Sequence, residues 1–365
     1  MMFHGRAKLV GTLVGVVFAV VLANQQAGTC LGLVYKNIML PRNAGADIWI
    51  TAPATDSIQG GRFVTEATLM AARTADGIAW AEPLIYSVAA ISKPGGGNEP
   101  LTLIGTRAPR FAGGPWNLVV GDREALLSPD SVIVEDSDRE KFGGVNLGST
   151  REILGHRVTV VGFTWGLESF APSYAFAEYD LARELTHTPR DSMSFVLAGV
   201  SAGRNAETVA AALRARLPEA DVFTAAQLED RIRHQLLFES SIGISFGTST
   251  AFGIIVGFVI VALSMFSAVI DNVREFGTLK AVGATTFDLV MLLFVQAVTY
   301  ALLGSLIGLW LVGGMANGIR GPKLALDLPP ALTLITVIGM VVMCVAASTL
   351  ALLRLRKVEP AMVFR

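Results

Sequence analysis

Residues 240–270 read SSIGISFGTSTAFGIIVGFVIVALSMFSAVI, 31 positions without an Asp, Glu, Lys or Arg. About 20 apolar residues carry an α-helix across ~30 Å of hydrocarbon, so the run reads as a membrane span. Three further charge-free runs flank it at a distance: Leu9–Tyr35, Leu289–Ile319 and Leu328–Leu353. The chain of 365 residues is 52% hydrophobic and only 16% charged, yet every one of its 29 basic and 30 acidic residues lies outside these four runs. Set apart from the spans, the remainder is charged like an ordinary soluble domain, about 25%. A wholly soluble protein is excluded. The fold class expected is an α-helical membrane protein with four transmembrane helices and a mixed α/β extracytoplasmic domain between helices 1 and 2.

The first run has two readings. Its apolar stretch ends at Ala23 before Asn24, Gln25 and Gln26, and Arg6 and Lys8 precede it, as in a signal peptide. Ala27-Gly28-Thr29 ahead of Cys30 does not suit lipoprotein cleavage, and the reading adopted is a retained helix running on through Leu31 to Val34. Basic residues near short loops mark the cytoplasmic side. The eight N-terminal residues carry two basic groups and no acidic ones, and Arg354–Arg365 carries four basic and one acidic. Both termini are therefore expected on the cytoplasmic side of the membrane, in a multi-pass topology. The divisions that follow are 1–35 (N-terminus and helix 1), 36–239 (extracytoplasmic domain), 240–270 (helix 2) and 271–288 (cytoplasmic loop). Then come 289–319 (helix 3), 320–327 (outer loop), 328–353 (helix 4) and 354–365 (tail).

The segment 36–239 is long enough for its own core. Strand-like runs, β-branched or aromatic and bounded by turn residues, are Ala46–Ile50, Ala79–Ile91, Leu101–Gly105, Ser131–Glu135, Arg157–Phe163 and Ser194–Val200. Arg62–Ala72 and Ala206–Leu217 read as helices, and Pro94–Asn98 as a hairpin connection. From about Ala225 the pattern is helical, with Leu228, Ile232, Leu236 and Leu237 on one face. No Gly or Pro interrupts it before Gly243, which predicts a stalk helix continuous with helix 2.

Glycines four apart occur at Gly11/Gly15, Gly253/Gly257 and Gly304/Gly308, where backbones of membrane helices can approach closely. Glycine is common in such helices, so one close pair among the three is the expectation. No ionisable side chain lies inside a span, which disfavours a proton relay or ion path. Cys30 and Cys344 form no framework, and His4, His156, His187 and His234 have no ligand spacing. Glu135-Asp136-Ser137-Asp138-Arg139-Glu140 lacks the glycine and ligand period of a calcium loop and reads as a solvated turn. Trp49, Trp80, Trp116 and Trp165 read as core packing.

The cytoplasmic loop carries the most specific pattern, Arg274-Glu275-Phe276-Gly277-Thr278-Leu279-Lys280-Ala281-Val282-Gly283-Ala284. Phe276, Leu279 and Val282 recur at three-residue steps, and Gly283 is placed to stop the helix. Such an amphipathic helix rests on the membrane surface or fits a groove in a partner.

This run resembles the loop between the second and third helices of the FtsX/MacB-type (type VII) ABC transporter permeases, and Arg356-Lys357-Val358-Glu359-Pro360-Ala361 is similar to their C-terminal ending. The order of elements resembles theirs over nearly the whole chain. Gln25/Gln26 and Ala46-Asp47-Ile48-Trp49-Ile50 look like the DevC branch. The resemblance implies a MacB-type periplasmic core domain and an ATPase-coupling helix made by Arg274, Glu275, Phe276, Gly277, Leu279, Lys280, Gly283 and Ala284. It implies an ABC ATP-binding subunit as partner, a second permease copy, and a membrane-fusion adaptor with an outer-membrane channel. The activity implied is mechanotransmission that drives efflux of a lipid-like or hydrophobic substrate. An FtsX-like regulator of an extracytoplasmic hydrolase and a membrane sensor are the alternatives. The family's amphipathic segment ahead of the first helix has only eight residues to occupy here. No G-x-x-x-x-G-K-[ST] occurs, so ATP is expected on the partner subunit. No catalytic, metal or cofactor site is expected, and no nucleic-acid partner.

Overall fold

Uncharged residues run unbroken from Leu9 to Tyr35, and nothing just after them stops the helix at once. In the computed structural model, which describes residues 6–55, 62–167, 172–271, 278–279, 282–318, 326 and 328–355, α1 spans Arg6–Asn43. It therefore passes the expected boundary at Tyr35. Asn37 and Asn43 turn their amides back to the carbonyls of Leu33 and Met39 instead of breaking the helix. The end comes at Gly45, whose φ of +68° suits glycine. Three later helices, with α2 to α5 lying between, are α6 (Ser241–Asp271), α7 (Thr286–Gly318) and α8 (Pro330–Leu355). With α1 they make four helices long and apolar enough to cross a membrane.

The chain divides into two units, one holding α6, α7, α8 and α1 up to Leu31, the other Gly32–Ser240. In the first, Val16, Ala19 and Val20 of α1 are buried with Val261 of α6, Ala297, Tyr300 and Ala301 of α7, and Met340, Cys344 and Ala347 of α8. Large apolar side chains such as Phe252, Leu263, Leu306 and Trp310 face outward, as suits helices set in hydrocarbon.

Within Gly32–Ser240 the strands are β1 (Ile48–Thr51), β2 (Val64–Thr65), β3 (Ile78–Ser92), β4 (Asn98–Thr106), β5 (Leu118–Val120) and β6 (Ser131–Glu135). They continue as β7 (Thr150–Ile153), β8 (His156–Thr164), β9 (Ser173–Glu178), β10 (Ser192–Met193), β11 (Phe195–Val200) and β12 (Asp221–Thr224). The helices are α2 (Glu66–Arg73), α3 (Tyr179–Leu185), α4 (Ala206–Arg216) and α5 (Ala225–His234). Strands β12-β1-β11-β3 lie side by side, all antiparallel. Two βαβ halves, β1-α2-β3 and β11-α4-β12, thus interleave as a split βαβ sheet. Alternation sorts its faces. Ile48 and Ile50 point to the cluster holding Leu69 and Ala72 of α2 and Val209 and Leu213 of α4. Trp49 points the other way, to Ile38, Met39 and Leu40 of α1 and Leu228 and Ile232 of α5. Trp49 is 0% exposed, and truncating such a side chain costs about 3–5 kcal/mol.

Between β3 and β11 the chain inserts a second body. Strands β3-β4-β9-β6-β8-β7 pair in succession, and β7 returns to β3 through Ile91 opposite Ile153, with the Leu154 N–H on the Ala90 carbonyl at 3.1 Å. The sheet closes into a six-stranded barrel. Val132 and Val134 of β6 and Ala175 and Ala177 of β9 share one core, while Ile133, Tyr174 and Phe176 share the other.

Three expectations need correction. The stretch from Ala225 is not one helix with α6. A π-turn occupies Gln235–Glu239, and Ser240 is extended (φ −81°, ψ 145°). The Ser240 N–H bonds the Gln235 carbonyl at 2.8 Å and its hydroxyl the Leu236 carbonyl at 2.7 Å. A serine that bonds backward in this way competes with the helical ladder. The acidic run is not a solvated turn, since Glu135 and Asp138 are both 0% exposed. Trp165 is 53% exposed, not core, whereas Trp49 and Trp116 are buried.

A leucine at Gly308 is expected to destabilise the four-helix unit by about 1–3 kcal/mol through overpacking, because a Cβ there would lie 2.7 Å from Val20 Cγ1. Gly313→Leu, which meets nothing within 4 Å, is expected to be neutral. Thermal denaturation of the detergent-solubilised chain checks both, and equal midpoints would show that α7 does not approach α1 at Gly308.

Candidate functional site

The resemblance implies coupling through the loop between α6 and α7. Arg274, Glu275, Phe276, Gly277 and Lys280 lie outside the described residues. Leu279 is helical and half-buried. The Val282 N–H donates to the Thr278 carbonyl at 3.0 Å, and the Ala284 N–H reaches back five residues to the Leu279 carbonyl at 2.9 Å. With Gly283 at φ +108°, this is the six-to-one closure by which a glycine ends a helix. Val282 is left 88% exposed. The next helix starts at once. Thr285 Oγ1 accepts from the Asp288 N–H at 3.2 Å, and Asp288 Oδ2 accepts from the Thr285 N–H at 2.8 Å. The sequence signal for that reciprocal cap is Thr-x-x-Asp before an apolar run. Helix end, glycine stop and capped restart thus fall within Thr278–Asp288.

The glycines chosen for helix packing divide unevenly. Gly304 and Gly308 of α7 both lie against α1, at Val16 and Val20. Gly257 of α6 meets Ala19, and Gly15 of α1 meets Ile260. Gly253 makes only an ordinary contact with Leu22 at 3.6 Å, and Gly11 faces open space. A polar bond also joins two membrane helices. Asn24, 0% exposed, accepts from the Thr336 hydroxyl at 3.3 Å and donates to its own helix at the Val20 carbonyl.

In the outer unit the structure gathers a buried charged centre that sequence reading missed. Glu135 ends β6, and its carboxylate accepts from the Thr164 hydroxyl at 2.8 Å, the Ser137 hydroxyl at 3.0 Å and the Gly166 N–H at 2.9 Å. Asp138 accepts from the Ser173 hydroxyl and pairs with Lys141 at 2.7 Å. Lys36 of α1, 3% exposed, donates to the Leu167 carbonyl at 2.6 Å and lies 3.8 Å from the Tyr174 ring centroid. The Tyr174 hydroxyl returns a bond to the Lys36 carbonyl at 3.3 Å. The one sequence signal was Lys36 itself, the first charge after 27 uncharged residues.

An open cleft of about 660 Å³ beside α3 mixes charges of both signs. Its Asp130 is held by His156 at 2.7 Å and its Asp180 by Arg183 at 2.9 Å. Among the described residues no three His, Cys, Asp or Glu side chains are grouped to hold a metal.

Burial pushes the Glu135 carboxyl above its ordinary value of 4.5, the bonds from Thr164 and Ser137 oppose the rise, and the charge of Asp138 adds to it. The folded chain therefore keeps this proton to higher pH than the unfolded chain does. Stability falls as pH climbs from 4.5 through the raised value and is regained on acidification. Relative to Glu135→Gln, the native chain is expected to lose melting temperature over that window; parallel curves for the two proteins would contradict it.

Two family models match the chain. The MacB-like periplasmic core domain covers residues 12–216, and the FtsX-like permease C-terminal domain covers residues 247–360. Among solved structures, the periplasmic region of MacB from Actinobacillus actinomycetemcomitans is 13% identical, with a TM-score of 0.40 over 55% of this chain and 97% of that one. The extracellular domain of the noncanonic ABC-type transporter YknZ from Gram-positive bacteria is 15% identical, with a TM-score of 0.37 over 49% of this chain and 100% of that one. No curated protein matches.

Proposed function

From a chain that belongs to the FtsX/MacB-type ABC permease superfamily, we propose a permease that passes the motion of a separate ATP-binding subunit to its outer domain and so drives efflux. The family is the permease component of ABC transporters and works with an ABC ATP-binding subunit. The observation that carries the reading is the order of parts. A MacB-like core domain is matched over residues 12–216 and an FtsX-like domain over 247–360, with one apolar helix ahead of the outer unit and three after it.

In this reading Arg274–Ala284 docks on the ATPase, both termini and this loop are cytoplasmic, and a second copy of the chain completes the membrane unit. The charge-free spans support it, because work done on an outer domain needs no hydrophilic path through the bilayer. A lipid-like or hydrophobic cargo handed to an adaptor and an outer-membrane channel is the DevC-like form of the proposal. Two covalent links join the outer domain to the spans: the single helix α1, and the jointed stretch α5–Ser240–α6.

Arg274→Glu, Glu275→Arg and Leu279→Pro are each expected to cut permease-stimulated ATP hydrolysis about tenfold, equivalent to ~1.4 kcal/mol of coupling, with membrane insertion unchanged. Co-purification of the ATPase and hydrolysis assays check this. Unaltered binding and hydrolysis in all three would sink the docking assignment. Crosslinks from the outer domain to a cell-wall hydrolase, and none to an adaptor, would replace efflux with regulation.

A further inference from the structure

We propose that Lys36 is the positioning residue that couples α1 to the barrel of the outer unit, its buried ammonium giving direction to a contact that apolar packing alone leaves free to slide. The inference rests on the reading of the chain as an ATP-driven permease. Below Lys36, α1 makes apolar contacts. Ile38, Met39 and Leu40 lie in the cluster that holds Trp49, Leu84 and Leu197 of the split βαβ sheet and also Ile104, Ile133 and Phe176 of the barrel. Contacts of that kind are non-directional and let a helix slide or turn. Lys36 is different. Its hydrogen bond goes to Leu167, after β8, and it sits over Tyr174 of β9. It lies in the field of Glu135, which ends β6, and Asp138, which follows it. Three adjacent barrel strands, β9-β6-β8, thus converge on one group of α1. The return bond from Tyr174 to the Lys36 carbonyl fixes the helix backbone as well as the side chain.

Stability alone does not account for such a centre. Replacing a buried ion cluster by apolar side chains of like volume is often neutral or stabilising, whereas removing one partner is strongly destabilising. What the cluster supplies is direction: the ammonium must keep its distance and angle to a carbonyl and a ring face at once, in the field of two carboxylates. A helix held so cannot rotate or slip without carrying β8 and β9 with it.

The test uses the full chain assembled with its ATP-binding subunit, with Cys30 and Cys344 replaced by alanine. Spin labels are placed at Leu147→Cys on the barrel side and Asp76→Cys on the sheet side, both exposed positions. The parent is expected to show a nucleotide-dependent change in the distance between the labels. Lys36→Met is expected to lose that change while keeping ATP hydrolysis and trypsin resistance. If Lys36→Met alone does not fold, Lys36→Met with Asp138→Asn removes charges of both signs and serves in its place. A change that persists in either folded variant overturns the coupling role and leaves the permease reading intact. A parent without any nucleotide-dependent change overturns both. If neither variant resists trypsin, the ammonium serves the fold itself and the coupling role falls.

Discussion

Hydrocarbon offers no partner for a peptide N–H or C=O, and each one left unpaired there costs several kcal/mol. That constraint shapes the whole molecule. It forces α1, α6, α7 and α8 to satisfy their backbones internally, and it turns their polar side chains inward to the same carbonyls. The hydroxyls of Thr29, Thr299 and Thr336 bond the carbonyls four residues back, and Asn24 does likewise with its amide. With lipid as apolar as the side chains, close packing must hold the helices together. The small residues Ala297, Ala301, Gly304 and Gly308 lie on one stripe of α7, where α1 lays Val16 and Val20.

Charge, excluded from the spans, reappears in the outer unit under different rules. There Lys36, Glu135 and Asp138 are as buried as any membrane side chain, yet each has hydrogen-bond or ionic partners. Removing one member of such a set typically costs 3–5 kcal/mol, against a total stability of about 5–15 kcal/mol for a domain. A centre of this kind is therefore sensitive to single changes, which use up part of that margin, even where it adds little net stability.

The spans were legible because charge-free length is a one-dimensional signal, and so were β6 and α4, whose ends are marked by turn residues and by the Asn205 cap. Other features depend on distant partners. Ser173–Glu178 carries no turn before α3, so its pairing with β4 and β6 was not visible locally. Glu135 and Asp138 read as solvated because their partners Thr164, Ser173 and Lys36 lie 29 to 102 positions away. The break at Ser240 involves no Gly or Pro; it is a π-turn that resolves through a serine hydroxyl. In the loop between α6 and α7 the Gly283 stop was legible from its place after the apolar repeat, and the Thr285–Asp288 cap from its Thr-x-x-Asp spacing.

Strand β3 belongs to two bodies. Its residues Ile78–Leu84 pair with β11 in the split βαβ sheet, and Leu84–Ser92 pair with β4 in the barrel, Leu84 serving both. The outer unit therefore has no linker at which one half can be trimmed away and the other kept. Any relative movement of its halves must bend or twist a continuous strand, and this favours small torsional displacements over the wide opening of a hinged clamshell. Recombination that exchanges the barrel between related proteins has to cut through a paired strand, so the two halves are bound to be inherited together.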